Sequence, residues 1–255
     1  MCVAAIAWEA HPRWRLVAVG NRDEFHDRPA APLARWDGGV IAGRDLRSGG
    51  TWLGVTPDRF ALVTNLRGYE RAPDKVSRGT LVHDLLGGAG AYADPRTAAL
   101  DDFNPFNLLV AAPAGLTFLT NRPGAVRTPL AHGLYGLSNG ALDAPWPKTL
   151  QLKAALLDWL GGPADNWTPL FAALREEHAP HFGLPPATPS DVAAEPRDSA
   201  VFIRDPVYGT RCSTVVAIDR RGRGTIVERR FDAAGRDAGV TAFAFDWREA
   251  DDRPS

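Results

Sequence analysis

Two apolar runs at the N-terminus, Cys2-Val3-Ala4-Ala5-Ile6-Ala7-Trp8 and Trp14-Arg15-Leu16-Val17-Ala18-Val19-Gly20, organise the rest of this chain. His11-Pro12-Arg13 separates them, and a break of this kind between two apolar runs predicts a β-hairpin. The second run leads into Asn21-Arg22-Asp23-Glu24-Phe25, so the hairpin brings this charged cluster back beside Cys2. Each half also has an ordinary interpretation, because a cysteine in an apolar strand is usually a small core residue and charges after a strand usually lie in a solvated turn.

The overall composition is that of a soluble globular protein. The chain has 255 residues, of which 45% are hydrophobic and 23% are charged, and this length suits one large domain or two small ones. The formal net charge of −1 gives no basic field that would attract nucleic acid or an anionic membrane. No apolar stretch approaches the roughly 20 residues that span a bilayer, and the N-terminus lacks the pattern of a signal peptide.

Cysteine usage predicts a reducing environment. Cys2 and Cys212 are the only two cysteines, which is too few for a disulfide framework in a chain of this length. We therefore expect a cytoplasmic protein in which Cys2 is a free thiol.

The order of the predicted elements favours a single α+β domain over residues 1–245, followed by a frayed tail over residues 246–255. Short strands with turn residues between them dominate the first half and the last third of the chain, and this spacing favours antiparallel pairing. The predicted helices run from Arg78 to Leu86 after the N-cap Ser77, from Tyr92 to Leu100 as a weaker signal, from Pro147 to Leu160, and onward from the N-cap Asn166. Ala200 to Ile203 is predicted as a strand, and the Pro-rich segment from His181 to Arg197 as a surface loop or lid.

Most signatures of known sites are missing from the sequence. It contains no phosphate-binding loop of the Gly-x-x-x-x-Gly-Lys type, no Gly-x-Ser-x-Gly turn and no Cys-x-x-Cys pair. His178 and His181 form the only close histidine pair, and they lie on either side of a proline that ends a helix, so no metal site is predicted. The glycines around Gly43-Arg44-Asp45 favour turns over phosphate binding.

The N-terminal cysteine is the strongest candidate for chemistry. Removal of Met1 gives Cys2 a free α-amine, with a pKa of about 7.7–8.0, beside a thiol with a pKa of about 8.5. One residue then carries both the nucleophile and the general base, as in N-terminal-nucleophile catalysis. Such a site needs an anion to orient the amine, donors for the oxyanion and a cation beside the thiolate. The residues at predicted strand ends that can supply these groups, in that order, are Asp23, Asn65 or Asn139, and Arg22.

A series of motifs along the chain resembles the NRDE family, also called the transport and Golgi organisation 2 family. The motifs follow one another in order from the N-terminus to the last third of the chain, and Met1-Cys2 fits the family's start. They are Asn21-Arg22-Asp23-Glu24-Phe25, Gly43-Arg44-Asp45, Gly49-Gly50-Thr51-Trp52-Leu53-Gly54-Val55, Thr64-Asn65, Ser77-Arg78-Gly79, Phe106-Asn107-Leu108-Leu109, Tyr135-Gly136-Leu137-Ser138-Asn139, Pro145-Trp146-Pro147-Lys148, Tyr208-Gly209-Thr210-Arg211 and Glu228-Arg229.

This family is in turn distantly similar to N-terminal-nucleophile amidases such as the bile-salt and penicillin-V hydrolases. The resemblance implies an αββα sandwich of two mostly antiparallel sheets with outer helices. The catalytic roles of those amidases then fall on Cys2, Arg22, Asp23, Asn65, Asn139 and Arg211. Arg22 and Asp23 are adjacent, a shorter spacing than in the amidases.

Two functions of different classes follow as expectations. The first is an N-terminal-cysteine hydrolase of an amide C–N bond or a related acyl substrate, with Cys2 as nucleophile after Met1 removal and no cofactor. The second is a non-catalytic carrier on the same scaffold for haem or an acyl lipid, because animal relatives have been linked to haem trafficking and to lipid or acyl-CoA metabolism. The sequence shows no pattern of haem ligands. Both functions imply a small-molecule partner.

Overall fold

The computed structural model describes residues 2–188 and 200–248, and within them the strands form two antiparallel sheets. The first sheet consists, in spatial order, of β10 (Gly133–Leu137), β1 (Cys2–Trp8), β2 (Trp14–Phe25), β11 (Tyr208–Asp219), β12 (Arg223–Phe231) and β13 (Asp237–Asp246). The second consists of β3 (Ala30–Arg35), β4 (Ile41–Asp45), β5 (Leu53–Val55), β6 (Phe60–Asn65), β7 (Phe106–Ala112), β8 (Gly115–Thr120) and β9 (Val126–Leu130).

The sheets stack face to face with helices on both outer sides. Apolar side chains of the two sheets meet in a central core, which includes Ile6, Leu62 and Val216. The helices α2 (Pro147–Gly161) and α3 (Thr168–Leu174) cover the outer face of the first sheet, whereas α1 (Arg78–Gly87) covers the second. This layering confirms the predicted αββα sandwich.

The N-terminal hairpin forms as predicted, and β1 is an interior strand. Every residue of β1 is buried, because alternate side chains enter different cores: Ile6 lies between the sheets and Val3 lies against the helices. Cys2 pairs with Arg22 across the hairpin. Directly paired residues point to the same face of a sheet, so Cys2 and Arg22 both face the space between the sheets.

The same row of side chains continues across the next two strands. Cys212 of β11 pairs with Arg22 on one side and with Arg230 of β12 on the other. A β-bulge between Thr210 and Cys212 makes Arg211 an extra residue in this ladder. The first sheet therefore presents Cys2, Arg22, Cys212 and Arg230 side by side toward the second sheet.

The structure corrects several predicted elements. The segment from Tyr92 to Leu100 is not a helix, because turns replace it: the side chain of Asp94 accepts hydrogen bonds from the backbone and the guanidinium of Arg96. Ala200 to Ile203 is buried but is not a strand. The strand β9 was not predicted.

The predicted lid and the predicted C-terminal tail are only partly described by the structure. Residues 189–199, which include most of the predicted lid, lie outside the described residues, as do residues 249–255 of the predicted tail. Trp247, near the start of the predicted tail, is buried, and its backbone N–H donates to the carbonyl of Gly222.

Candidate active site

Cys2 borders a large cavity at one end of the space between the two sheets. The cavity has a volume of about 730 Å³ and is bounded by the end of β2, the ends of β4 and β6, and the segment that leads into α1. Cys2 itself is 8% exposed. The start of α1 approaches closely because position 50 is glycine: a Cβ on Gly50 would overlap the backbone of Gly79.

The surroundings of the Cys2 thiol act in opposite directions on its acidity. Burial and the negative charge of Asp23 raise the pKa of the thiol, whereas the charge of Arg22 and a hydrogen bond from the backbone N–H of Asp23 lower it. The Ser138 hydroxyl donates to the carbonyl oxygen of Cys2 at 2.9 Å and fixes the strand end. Because burial prevails, the thiol needs a neighbouring base before it can act as a nucleophile.

Arg22 is held opposite Cys2 by a network of ion pairs. Its Nη2 lies 2.9 Å from Oδ2 of Asp45, and Nε of Arg28 lies 2.6 Å from the same oxygen. Glu24 approaches both guanidinium groups, at 3.4 Å and 3.6 Å. Burial alone would raise the pKa of Asp45, but its hydrogen bond from Arg28 and the positive charges around it lower that pKa.

Asp23 is a buried carboxylate at the wall of the cavity. It is 3% exposed, and its Oδ1 accepts a hydrogen bond of 2.7 Å from the hydroxyl of Thr210. The Tyr208 hydroxyl donates to the backbone carbonyl of Asp23 at 3.0 Å. These two residues of β11 fix both the carboxylate and the backbone beside Cys2.

The two predicted asparagines occupy different environments. Asn65, at the end of β6, lines the cavity. Asn139 is 2% exposed and does not line the cavity; its Nδ2 donates to the backbone carbonyl of Asn65 at 2.7 Å. Asn139 thus supports the strand end that carries Asn65.

Arg211 lies away from the Cys2 cavity. Its Nη1 donates to the carbonyl oxygens of Phe25, His26 and Arg28 at 2.8, 3.2 and 3.1 Å, and so ties down the segment after β2. Its side chain lines a second, smaller cavity together with Arg22. Of the six predicted site residues, the large cavity is therefore lined by Cys2, Arg22, Asp23 and Asn65.

Sequence reasoning missed the remaining charged lining of the large cavity. Besides Arg22 and Asp23 it comprises Glu24, Arg28, Asp45, Arg47, Arg71, Lys75 and Arg78. Two of the motifs quoted above carry charged residues of this lining, Gly43-Arg44-Asp45 and Ser77-Arg78-Gly79, but their sequences alone indicate only a turn and a helix start. Ser77 does cap α1, since its hydroxyl accepts the N–H of Gly79 at 3.2 Å, and it also lines the cavity.

The described part of the chain offers neither a metal-binding cluster nor a membrane-spanning helix. Residues 2–188 and 200–248 hold no group of three His, Cys, Asp or Glu side chains arranged to bind a metal ion. His178 instead contacts Glu176, with 2.9 Å between Nδ1 and Oε1. None of the described helices is long and apolar enough to cross a membrane.

Comparison with known proteins places this chain in one family. The sequence model of the family described as Transport and Golgi organisation 2 matches residues 1–233. The chain is 33% identical to the transport and Golgi organization protein 2 homolog of Bos taurus, over 90% of this chain and 92% of that protein. It is 29% identical to the Homo sapiens homolog over the same shares, and 26% identical to the Drosophila melanogaster protein over 89% and 91%. The chain therefore belongs to the transport and Golgi organisation 2 family, which is the NRDE family predicted from its motifs.

Proposed function

We propose that this protein is an N-terminal-nucleophile cysteine hydrolase that cleaves an amide C–N bond or a related acyl bond. The observation that carries the proposal is the position of Cys2, at the first residue of an interior strand and at the wall of a polar cavity of about 730 Å³. A thiol in such a place reaches a substrate that is bound in the cavity.

The reaction starts with proton transfer within Cys2. After removal of Met1, the free α-amine takes the thiol proton, and the thiolate attacks the carbonyl carbon of the substrate. Asp23 orients the ammonium group, since its carboxylate is fixed by Thr210 at the same end of the hairpin. The positive charge of Arg22 stabilises the thiolate.

The tetrahedral intermediate needs donors for its oxyanion. Asn65 is the candidate, because its side chain lies at the wall of the cavity and Asn139 braces its backbone. The intermediate collapses with cleavage of the C–N bond, and the leaving nitrogen takes the proton from the α-ammonium group. A water molecule then attacks the thioester and returns free Cys2 together with a carboxylic acid.

The lining of the cavity favours hydrolysis over the carrier function. Of its 23 lining residues, nine are charged. Haem and acyl chains are bound mainly by apolar and aromatic walls, whereas a polar acyl substrate suits this lining.

The proposal is tested by acylation of Cys2. Protein with an N-terminal Cys2 should release a burst of p-nitrophenol from p-nitrophenyl acetate, equal to the enzyme concentration, and mass spectrometry should locate the acetyl group on Cys2. Cys2→Ala should abolish the burst and Cys212→Ala should keep it. A full burst from Cys2→Ala, or none from the wild-type protein, would contradict the hydrolase and favour the carrier.

A further inference from the structure

A second, smaller cavity lies beside the first. Its volume is about 130 Å³. Four residues, Arg22, Asp45, Thr51 and Trp52, line both cavities and therefore form the wall between them. The rest of the smaller cavity is bounded mainly by β3 and β4 of the second sheet and by β11 and β12 of the first.

Three arginines from neighbouring strands line this cavity around one buried thiol. Arg22 and Arg230 flank Cys212 in the sheet register, and Arg211 is the bulged residue just before it. In each of the three guanidinium groups one nitrogen is buried and has no hydrogen-bond acceptor among residues 2–188 and 200–248: Nη1 of Arg22, Nε of Arg211 and Nε of Arg230. Buried donors are nearly always paired in folded proteins. The cavity beside these three arginines leaves room for an acceptor, which the unpaired nitrogens reach when the guanidinium groups turn toward it.

The charges around the cavity are also unbalanced. Four arginines line it, the three above and Arg44, against the two carboxylates of Asp45 and Glu228. Asp45 is already engaged by Arg22 and Arg28. Burial and the nearby like charge of Arg22 both lower the pKa of Arg211.

Glu228 is committed to contacts of its own. Its Oε1 accepts the backbone N–H of Leu33 at 2.8 Å, and it also accepts a hydrogen bond from the Cys212 thiol. Burial raises the pKa of Glu228, and the charges of Arg230 and Arg22 act against this. Neither carboxylate satisfies the three orphan donors.

We propose that the smaller cavity is a binding site for a compact oxyanion, a carboxylate or a phosphate, held by Arg22, Arg211 and Arg230. Guanidinium groups bind both of these ligands through paired N–H donors. The cavity volume of about 130 Å³ suits a compact anion, because an engineered cavity of about 150 Å³ in another protein holds benzene. A bound anion places negative charge where the three cations converge.

The oxyanion has two chemically equivalent sources. It is either a free small anion or the acidic end of a longer ligand whose body lies in the large cavity, past the shared wall of Trp52 and Thr51. The site itself does not depend on hydrolysis by Cys2, so Cys2→Ala should bind the anion as the wild-type protein does.

Isothermal titration calorimetry of the full chain with sodium phosphate and sodium acetate, at constant ionic strength, tests the site. Wild-type protein should bind one anion per chain saturably, and Arg230→Met should weaken binding at least tenfold. The matched control is Arg96→Met, which removes an exposed arginine outside both cavities and should leave the affinity unchanged. Absence of saturable binding, or equal losses in the two variants, would overturn the proposal.

Two further arms complete the test. If Arg230→Met does not fold by circular dichroism, Arg230→Lys keeps a charge but loses the planar fork, and it should still weaken binding several-fold; unchanged affinity would overturn the site. Hexanoate distinguishes the sources. A ligand that extends into the large cavity predicts that hexanoate binds at least tenfold more tightly than acetate and loses this advantage after alkylation of Cys2, whereas a free anion predicts no advantage.

Discussion

The two cysteines of this protein lie in the same row of one sheet, with Arg22 between them, yet their surroundings differ. Both are buried to nearly the same extent, with 8% of Cys2 and 7% of Cys212 exposed. Cys2 borders the large cavity and receives a hydrogen bond from the backbone N–H of Asp23. Cys212 borders the small cavity and donates its own hydrogen bond to Glu228.

The difference lies in what each neighbour does to the thiolate. Burial raises the pKa of both thiols. At Cys212 the negative charge of Glu228 raises the pKa further, to well above its usual value, although the charge of Arg22 lowers it. At Cys2 the negative charge of Asp23 raises the pKa, and the charge of Arg22 and the amide hydrogen bond lower it. The two thiols are therefore equally buried but differ in their hydrogen bonds, because the Cys2 sulfur accepts one from an amide and the Cys212 thiol donates one to a carboxylate.

The largest expected effect comes from removing the positive charge of Arg22, which lies between the two thiols. Arg22→Met removes one of the two cations that bind Asp45, and loss of a hydrogen bond to a charged group costs about 1.5–3 kcal/mol. Urea unfolding should show this loss of stability, and alkylation of Cys2 in the folded variant should be slower because its thiolate loses the favourable charge. Arg221→Met, an exposed arginine at a turn, is the control and should change the unfolding free energy by no more than about 0.5 kcal/mol. A variant of Arg22 as stable as the control would show that the network does not hold this end of the sheet.

On the Cys2 side, the two asparagines should separate stability from chemistry. Asn139→Ala removes a buried donor and leaves the Asn65 carbonyl unpaired, which should cost about 1–3 kcal/mol in unfolding free energy. Asn65→Ala, at the cavity wall, should cost about 0.5 kcal/mol or less but should slow acylation of Cys2 by about 100-fold. If both variants lose stability equally and acylate normally, Asn65 is not the oxyanion donor.

On the Cys212 side, the Glu228 carboxylate occupies space that is open only because position 43 is glycine. A Cβ on Gly43 would lie 2.9 Å from Oε2 of Glu228, so Gly43→Ala should displace that carboxylate and lower the unfolding free energy by about 1 kcal/mol or more. Gly87 in α1 is the matched position, since an added Cβ there meets nothing within 4 Å, and Gly87→Ala should leave stability equal or higher by about 0.5 kcal/mol. Equal effects at the two glycines would mean that Glu228 is free to move.

The smallest expected effect is a pair of opposite pH dependences at the two carboxylates of the small cavity. Folded Glu228 holds its proton more tightly than the unfolded chain does, so its contribution to stability falls as the pH rises above the ordinary value of 4.5. Asp45 has a lowered pKa, so its contribution is full above the ordinary value of 3.8 and is lost as the pH falls through the folded pKa.

Urea unfolding between pH 3 and pH 8 tests both signs. Glu228→Gln should reduce the loss of stability above pH 4.5, and Asp45→Asn should reduce the loss below pH 3.8. A steeper decline of Glu228→Gln at neutral pH would reverse the assignment of the buried carboxylate.

The hairpin and its charged end could be predicted because the information is local. The break at His11 to Arg13 and the length of the two runs are enough to place Arg22 opposite Cys2. The signals that predict helix α1 are equally local, because Ser77 forms its N-cap and glycines lie at its end.

The parts that could not be predicted depend on contacts distant in sequence. Nothing near Gly133 indicates that β10 pairs with β1 rather than with the strands before it. The row that joins Arg22, Cys212 and Arg230 depends on the register of β11, including the bulge that turns Arg211 toward carbonyl groups. Ala200 to Ile203 has the composition of a strand, but its end is held by a single residue instead of a strand ladder. The Thr210 hydroxyl accepts the backbone N–H of Ile203, and the backbone N–H of Thr210 donates to the Ile203 carbonyl.

The most direct test of the account is a competition between the two thiols of the folded wild-type protein for a limiting amount of iodoacetamide, read by intact and peptide mass spectrometry. We predict a chain that begins at Cys2, and alkylation of Cys2 at least about tenfold faster than that of Cys212, because thiolate character and access govern reactivity. A chain that retains Met1, or a Cys212 that reacts as fast as Cys2, would contradict the assignment of Cys2 as the nucleophile.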